Sequence, residues 1–179
     1  MVILTAGPLV VPEVKRFVPR KTQLNAKFGV ADKPAVLKGK WCAHPDYRQG
    51  EQKTFLAEHR FTLDAIPEKS HLSFSVDDEV KVCVNGTYLA DTFRDHRVIF
   101  RKNLCDLLKK GKNIVRFEIT NFSGPTGLVY DLTCDAKTVS SGKDTLFSID
   151  GGKSWQKAHV FGRQPCAPWG RPRLMIFDR

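Results

Sequence analysis

Asp77-Asp78-Glu79-Val80-Lys81-Val82-Cys83-Val84-Asn85-Gly86 is the stretch that decides the fold. Val80, Val82 and Val84 alternate with Lys81 and Cys83, a two-residue period that turns one face of a strand to a core and the other away from it. Asn85-Gly86 follows at once. A two-residue type I′ turn needs positive φ at both central positions, and Asn and Gly tolerate that best. The stretch predicts a hairpin whose return strand is Thr87–Asp91.

The same period recurs on both sides. Upstream, Leu72, Phe74 and Val76 alternate with Ser73 and Ser75, which predicts a half-buried strand, and Phe55–Leu63 predicts another that ends before Pro67. Downstream, Val98–Phe100 is a short strand. Asn103 is placed to cap a helical turn through Leu104–Lys110, with Gly111 as its left-handed stop. Val115, Phe117 and Ile119 then alternate with Ile114, Arg116 and Glu118. After the turn at 123–127 come Leu128–Thr133, then Thr145–Ile149 and Lys153–Lys157 around Asp150-Gly151-Gly152, and Arg173–Phe177 last. Roughly eight to ten short strands separated by turn signals predict an all-β sandwich.

The chain has 179 residues, enough for one domain with a proper core and cramped for two. Its formal net charge of +10 is uneven. Residues 1–40 hold eight basic residues against Glu13 and Asp32, while residues 160–179 add Arg163, Arg171, Arg173 and Arg179 against Asp178. The body between them is nearly neutral. Residues 1–40 lack helical or alternating periodicity and carry Pro8, Pro12, Pro19 and Pro34. They read as an extended basic arm, with a short edge strand around Pro8–Val14 and with Phe17, Val18, Leu24 and Phe28 as apolar anchors. The domain division is an arm over 1–40 and a sandwich over 41–179. Terminal basic charge serves solvation or contact with an acidic partner.

Nothing in the sequence approaches the run of about 18 apolar residues that a membrane-spanning helix needs. Met1–Leu4 is apolar, but no basic stretch precedes it and Pro8 and Pro12 follow, so it does not read as a secretory signal. The compartment stays open: a virion or the cytoplasm for a whole protein, the extracellular space for a domain of a secreted enzyme.

Cys42, Cys83, Cys105, Cys134 and Cys166 form no Cys-x-x-Cys pair, which removes zinc-ribbon and thioredoxin readings. An odd count in a chain of this length argues against a disulfide scaffold. Cys42-Ala43-His44 has no second ligand pair at matching spacing. Asp77 and Asp78 with loop carbonyls are hard oxygen ligands of the kind calcium takes, yet Asp78 capping a turn explains it as simply. No metal and no cofactor is assigned.

Several motifs together resemble the galactose-binding-like jelly rolls found as accessory domains of β-galactosidase-type and rhamnosidase-type glycoside hydrolases. Asp77–Gly86 resembles their acidic pair, alternating valines and Asn-Gly. Leu107-Leu108-Lys109-Lys110-Gly111-Lys112-Asn113-Ile114-Val115 resembles their leucine, Gly-Lys-Asn and apolar strand segment. Asn121 through Gly127-Leu128 resembles the loop that follows, Phe55–Leu63 the opening strand, and Ser148–Trp155 the late strand pair. The resemblance runs in order through residues 41–170. It implies a galactose-binding-like jelly-roll β-sandwich, carrying an extended N-terminal arm, that does no chemistry of its own.

Function must be argued from a site, because this fold carries many. Catalysis finds no support: Asp77, Asp78 and Glu79 are adjacent and do not face one another across a cleft, as glycoside hydrolysis requires. The Gly-x-Ser-x-Gly and phosphate-loop motifs are absent. The leading expectation, implied by the resemblance, is non-catalytic glycan binding through loops at one end of the sandwich. Sugar recognition needs an aromatic ring against the apolar face and planar polar groups for the hydroxyls. Tyr47 and Trp169 stand on loops and are the preferred rings, with Asp46, Arg48, Asn121 and Arg163 as polar partners. Trp41 and Trp155 are weaker candidates, Trp155 because a strand position suits the core. The alternative is a structural subunit of a large assembly such as a virus or phage particle, a capsid, decoration or tail protein. Its basic arm would dock on neighbouring subunits, as in a homo-oligomer, or on nucleic acid. Asn85-Gly86-Thr87 and Asn121-Phe122-Ser123 match the N-glycosylation pattern and are read as chance.

Overall fold

The computed structural model describes residues 28–31, 36–47 and 53–178. The edge strand expected at Pro8–Val14 and most of the basic arm lie outside the described residues. Fourteen strands are present among the described residues: β1 Phe28–Ala31, β2 Lys40–Ala43, β3 Lys53–Leu63, β4 Ser70–Asp77, β5 Glu79–Val84, β6 Thr87–Arg94 and β7 Val98–Asn103. After a single 3-10 turn at Cys105–Leu107 come β8 Gly111–Asn121, β9 Gly127–Cys134, β10 Lys137–Ser140, β11 Leu146–Ser148, β12 Gln156–Lys157, β13 His159–Arg163 and β14 Leu174–Asp178.

They form two sheets. One runs β1-β14-β7-β4-β9-β2-β13, with β10 also paired to β9; the other runs β12-β11-β3-β8-β5-β6. All pairings are antiparallel except β14 on β7. The inner faces meet in a core that includes Phe55, Phe74, Phe117, Tyr130 and Phe147, filled by every second residue of the long strands. The chain has the galactose-binding-like jelly-roll fold.

The hairpin forms as expected between β5 and β6, with φ of 50° at Asn85 and 92° at Gly86. Asn85 also has a tertiary role. Its Nδ2 donates to the Leu107 carbonyl and to Asn113 Oδ1, both at 2.8 Å, while its Oδ1 accepts from the Ile114 amide. The amide is thus fully engaged, and Asn121 is buried, so neither glycosylation pattern presents a free side chain. The helical turn expected over Leu104–Lys110 shrinks to three residues. Asn103 Oδ1 still accepts from the Cys105 amide, but Asn113 takes over the Lys109 backbone and leads the chain into β8.

β4 departs from expectation. Leu72, Phe74 and Val76 enter the main core, yet Ser73 and Ser75 on the other face are buried as well. The reason is a second apolar cluster on the outer side of this sheet, built from Leu37, Trp41, Ile99, Val129, Trp169 and Met175. Ser75 survives there because its hydroxyl donates to the His96 carbonyl at 2.9 Å. The residues just before β2 belong to this layer too. The Leu37 amide donates to Gln164 Oε1, and the Lys38 and Gly39 amides donate to the Asp131 carboxylate.

Candidate functional site

The loop between β13 and β14 folds over the outer cluster and carries Trp169 into it. The indole is held in three ways. It stacks on Trp41 with centroids 4.4 Å apart and planes 16° apart. Phe161 meets it edge-on at 5.0 Å. Its Nε1 donates to Asp77 Oδ2 at 2.8 Å. Room for the stack comes from Gly127: a Cβ there would lie 2.7 Å from Trp169 Cζ2 and 2.9 Å from Trp41 Cε3.

Asp77 is itself buried, and burial raises its carboxyl to about 7. The Trp169 hydrogen bond opposes that rise, and neighbouring Asp78 and Asp95 add to it. His96 Nδ1 stands 3.7 Å from Asp77 Oδ1. Asp78 caps a turn, its Oδ2 accepting from the Phe122 amide at 2.7 Å and from the Ser123 amide at 3.4 Å. One oxygen of each aspartate therefore already has a protein donor.

Beside Trp169 opens a groove of about 750 Å³, within the size range of small-molecule sites. Its walls come from the segment that follows β2 (His44, Pro45, Tyr47), from Pro125 before β9, from His159 and Phe161 of β13, and from Pro168 and Trp169. Tyr47 is fixed from below. Its hydroxyl donates to the Gly124 carbonyl and accepts from Asn121 Nδ2 at 3.3 Å, and its ring meets Phe55 edge-on. His44 accepts the Asp46 amide on Nδ1 at 3.0 Å. Burial lowers its pKa, so the ring is neutral with its proton on Nε2, a donor of fixed identity. Phe161 is 42% exposed and gives the groove an open ring face.

Of the six residues expected to form a site, Tyr47 and Trp169 line this groove. Trp169 is 4% exposed, so it is a wall anchored in the second core, where a free loop platform was expected. Asn121 is wholly buried and meets the groove wall through Tyr47. Asp46 is exposed next to it, its Oδ2 accepting from Gln156 Nε2 at 3.1 Å. Arg163, paired with Lys40 at the far end of β13, is not among the lining residues. Arg48 lies outside the described residues.

Trp155 reverses its expected place. It sits in the loop between β11 and β12, half-buried, with the Arg60 guanidinium 5.1 Å above its ring and its Nε1 donating to the Gly152 carbonyl. The sequence reading missed Phe161, His159 and His44. His159-Val160-Phe161 does alternate, but a five-residue strand after a tryptophan loop is too short a signal to stand alone.

No protein-family model matches the sequence, and no curated protein matches it significantly. Solved structures do match. The chain superposes on a Streptomyces avermitilis α-L-rhamnosidase complexed with L-rhamnose at a TM-score of 0.65 and 21% identity, over 86% of this chain and 18% of that one. A Pleurotus ostreatus lectin in complex with GalNAc gives 0.66 and 16% identity, over 80% of this chain and 48% of the lectin. A family GH78 rhamnosidase of Bacillus sp. GL1 gives 0.65 and 13% identity, over 80% and 20%. The shared part is the jelly roll. This chain spans about a fifth of each rhamnosidase and about half of the lectin.

Proposed function

We propose that this protein is a non-catalytic carbohydrate-binding module that takes a saccharide in the groove between β2, β13 and the Trp169 loop. The observation that carries the reading is the composition of that groove: aromatic and proline walls, a neutral histidine donor, and no carboxylate among its described lining residues. Glycoside hydrolysis needs a facing pair of carboxylates, whereas holding a sugar needs an apolar ring and a few fixed donors. Phe161 offers the ring face, Tyr47 and Trp169 the walls, and His44 and His159 the polar contacts. Likeness of fold to a lectin and to part of rhamnosidases supports the same reading by analogy.

The test is a glycan array followed by calorimetry on Phe161→Ala and Tyr47→Phe. Phe161 belongs to neither apolar cluster but meets the Trp169 ring, so the unfolding midpoint of the variant is read beside its affinity. Loss of about tenfold or more in affinity for a retained glycan is expected from Phe161→Ala, about 1.4 kcal/mol. Tyr47→Phe should change it less, since that hydroxyl already serves Gly124 and Asn121. Retention of no glycan, or equal binding by Phe161→Ala, refutes the reading.

A further inference from the structure

A second concavity of about 520 Å³ lies on the other flank of the same sheet, where β4 begins and β7 and β14 end. Ladder pairing builds it. Arg101 stands opposite Ser73 on one side and Phe177 on the other, and Asn103 stands opposite His71. Directly paired residues share a face, so the Arg101 guanidinium, the Phe177 ring and the His71 and Asn103 side chains converge on the outer surface.

Arg101 is the notable member. It is half-buried, and its one hydrogen bond among the described residues runs from Nη2 to His71 Nε2 at 2.7 Å. Burial and the adjacent guanidinium both lower the His71 pKa, so this partner is neutral and brings no negative charge. No carboxylate among the described residues pairs with Arg101. A partly desolvated guanidinium has several donors and a fork that fits carboxylate oxygens in pairs. Asn103 adds an amide, its oxygen already committed to the Cys105 backbone. The opposite wall is apolar, made by Met175 and Phe177. The Phe177 ring lies so close over β1 that a Cβ at Gly29 would fall 2.2 Å from it.

We propose that this cleft is a second ligand site, for an organic monocarboxylate with a compact apolar body. The carboxylate would sit on Arg101 and Asn103, and the hydrocarbon against Met175 and Phe177. Glu68 at the rim opposes Lys69 and disfavours a dianion such as phosphate. This site is independent of the groove and holds whether or not the groove takes sugar.

Cyclohexanecarboxylate titrated into the isotope-labelled intact chain should give saturable shifts at His71, Asn103 and Phe177, with a millimolar Kd. Cyclohexanecarboxamide, the same shape without the charge, should bind at least about tenfold more weakly. Arg101→Met, which keeps the stem, should lose the same factor with an unchanged unfolding midpoint. No saturable shift, equal binding of the amide, or equal binding of inorganic phosphate overturns the proposal. An Arg101→Met protein that binds as well as the parent overturns it too. If that variant does not fold, the acid and amide comparison in the parent protein decides.

Discussion

Asp77→Asn isolates the most unusual electrostatic feature of the molecule. Asn keeps an oxygen for Trp169 Nε1 and removes the ionisable group. In the parent protein the folded carboxyl titrates at about 7 against 3.8 for an ordinary aspartate, because burial disfavours the charged form. Below pH 4 both folded and unfolded chains hold the proton, and the contribution is fully present. Between about 4 and 7 the unfolded chain ionises first, so the unfolding free energy falls as pH rises; above 7 the loss is complete. At about 1.4 kcal/mol per unit the loss reaches about 4 kcal/mol at most. The Asn variant lacks this slope. Parent and variant should therefore differ by only about 1 kcal/mol at pH 4.5, and the variant should be ahead by about 2–4 kcal/mol at pH 8. Urea unfolding followed by tryptophan fluorescence at both pH values measures the difference, in which carboxylates that do not act on Asp77, such as Asp150, cancel. His96 is the other titratable ring in reach, so the pair is repeated in a His96→Gln background. An Asn variant less stable than the parent at pH 8, or a difference independent of pH, refutes the account of Asp77.

Three further substitutions probe the tryptophans and the glycine between them. Gly127→Ala forces a methyl into the Trp41–Trp169 stack and should cost about 1–3 kcal/mol by overpacking, read by denaturant unfolding. Its tryptophan emission should shift and groove binding should weaken with it. Trp155→Ala removes a ring that sits outside both apolar cores and should cost about 1 kcal/mol. Trp41→Ala, by contrast, empties a wholly buried site and should cost about 3–5 kcal/mol in the same assay.

Strands β4, β5 and β8 were legible because alternation is written locally, residue by residue, and the Asn85-Gly86 turn because its φ values follow from those two residues alone. The order of motifs from Phe55 to Trp155 was enough to name the jelly roll. Short strands such as β10 and β13 were not legible, since four or five residues without a flanking pattern carry little periodic signal. The site was half legible. Tyr47 and Trp169 stood out as aromatics among turn residues, but nothing near them in the chain distinguishes a ring that faces water from one that faces a partner.

That distinction belongs to tertiary structure. Trp155 and Trp169 have similar surroundings in sequence, rich in Gly or Pro, and opposite fates in the fold. Trp169 is buried because Asp77, 92 residues away, receives its N–H, and because Trp41 and Gly127 give its ring a surface and a space. The amino-acid order by itself determined which segments become strands and which turns join them, since those preferences act over a few residues. Only the packed sheet decided that β4 is covered on both faces, that a groove opens beside Trp169, and that no carboxylate among the described residues pairs with Arg101. Each of these depends on contacts between residues far apart in the chain, which local preference does not encode.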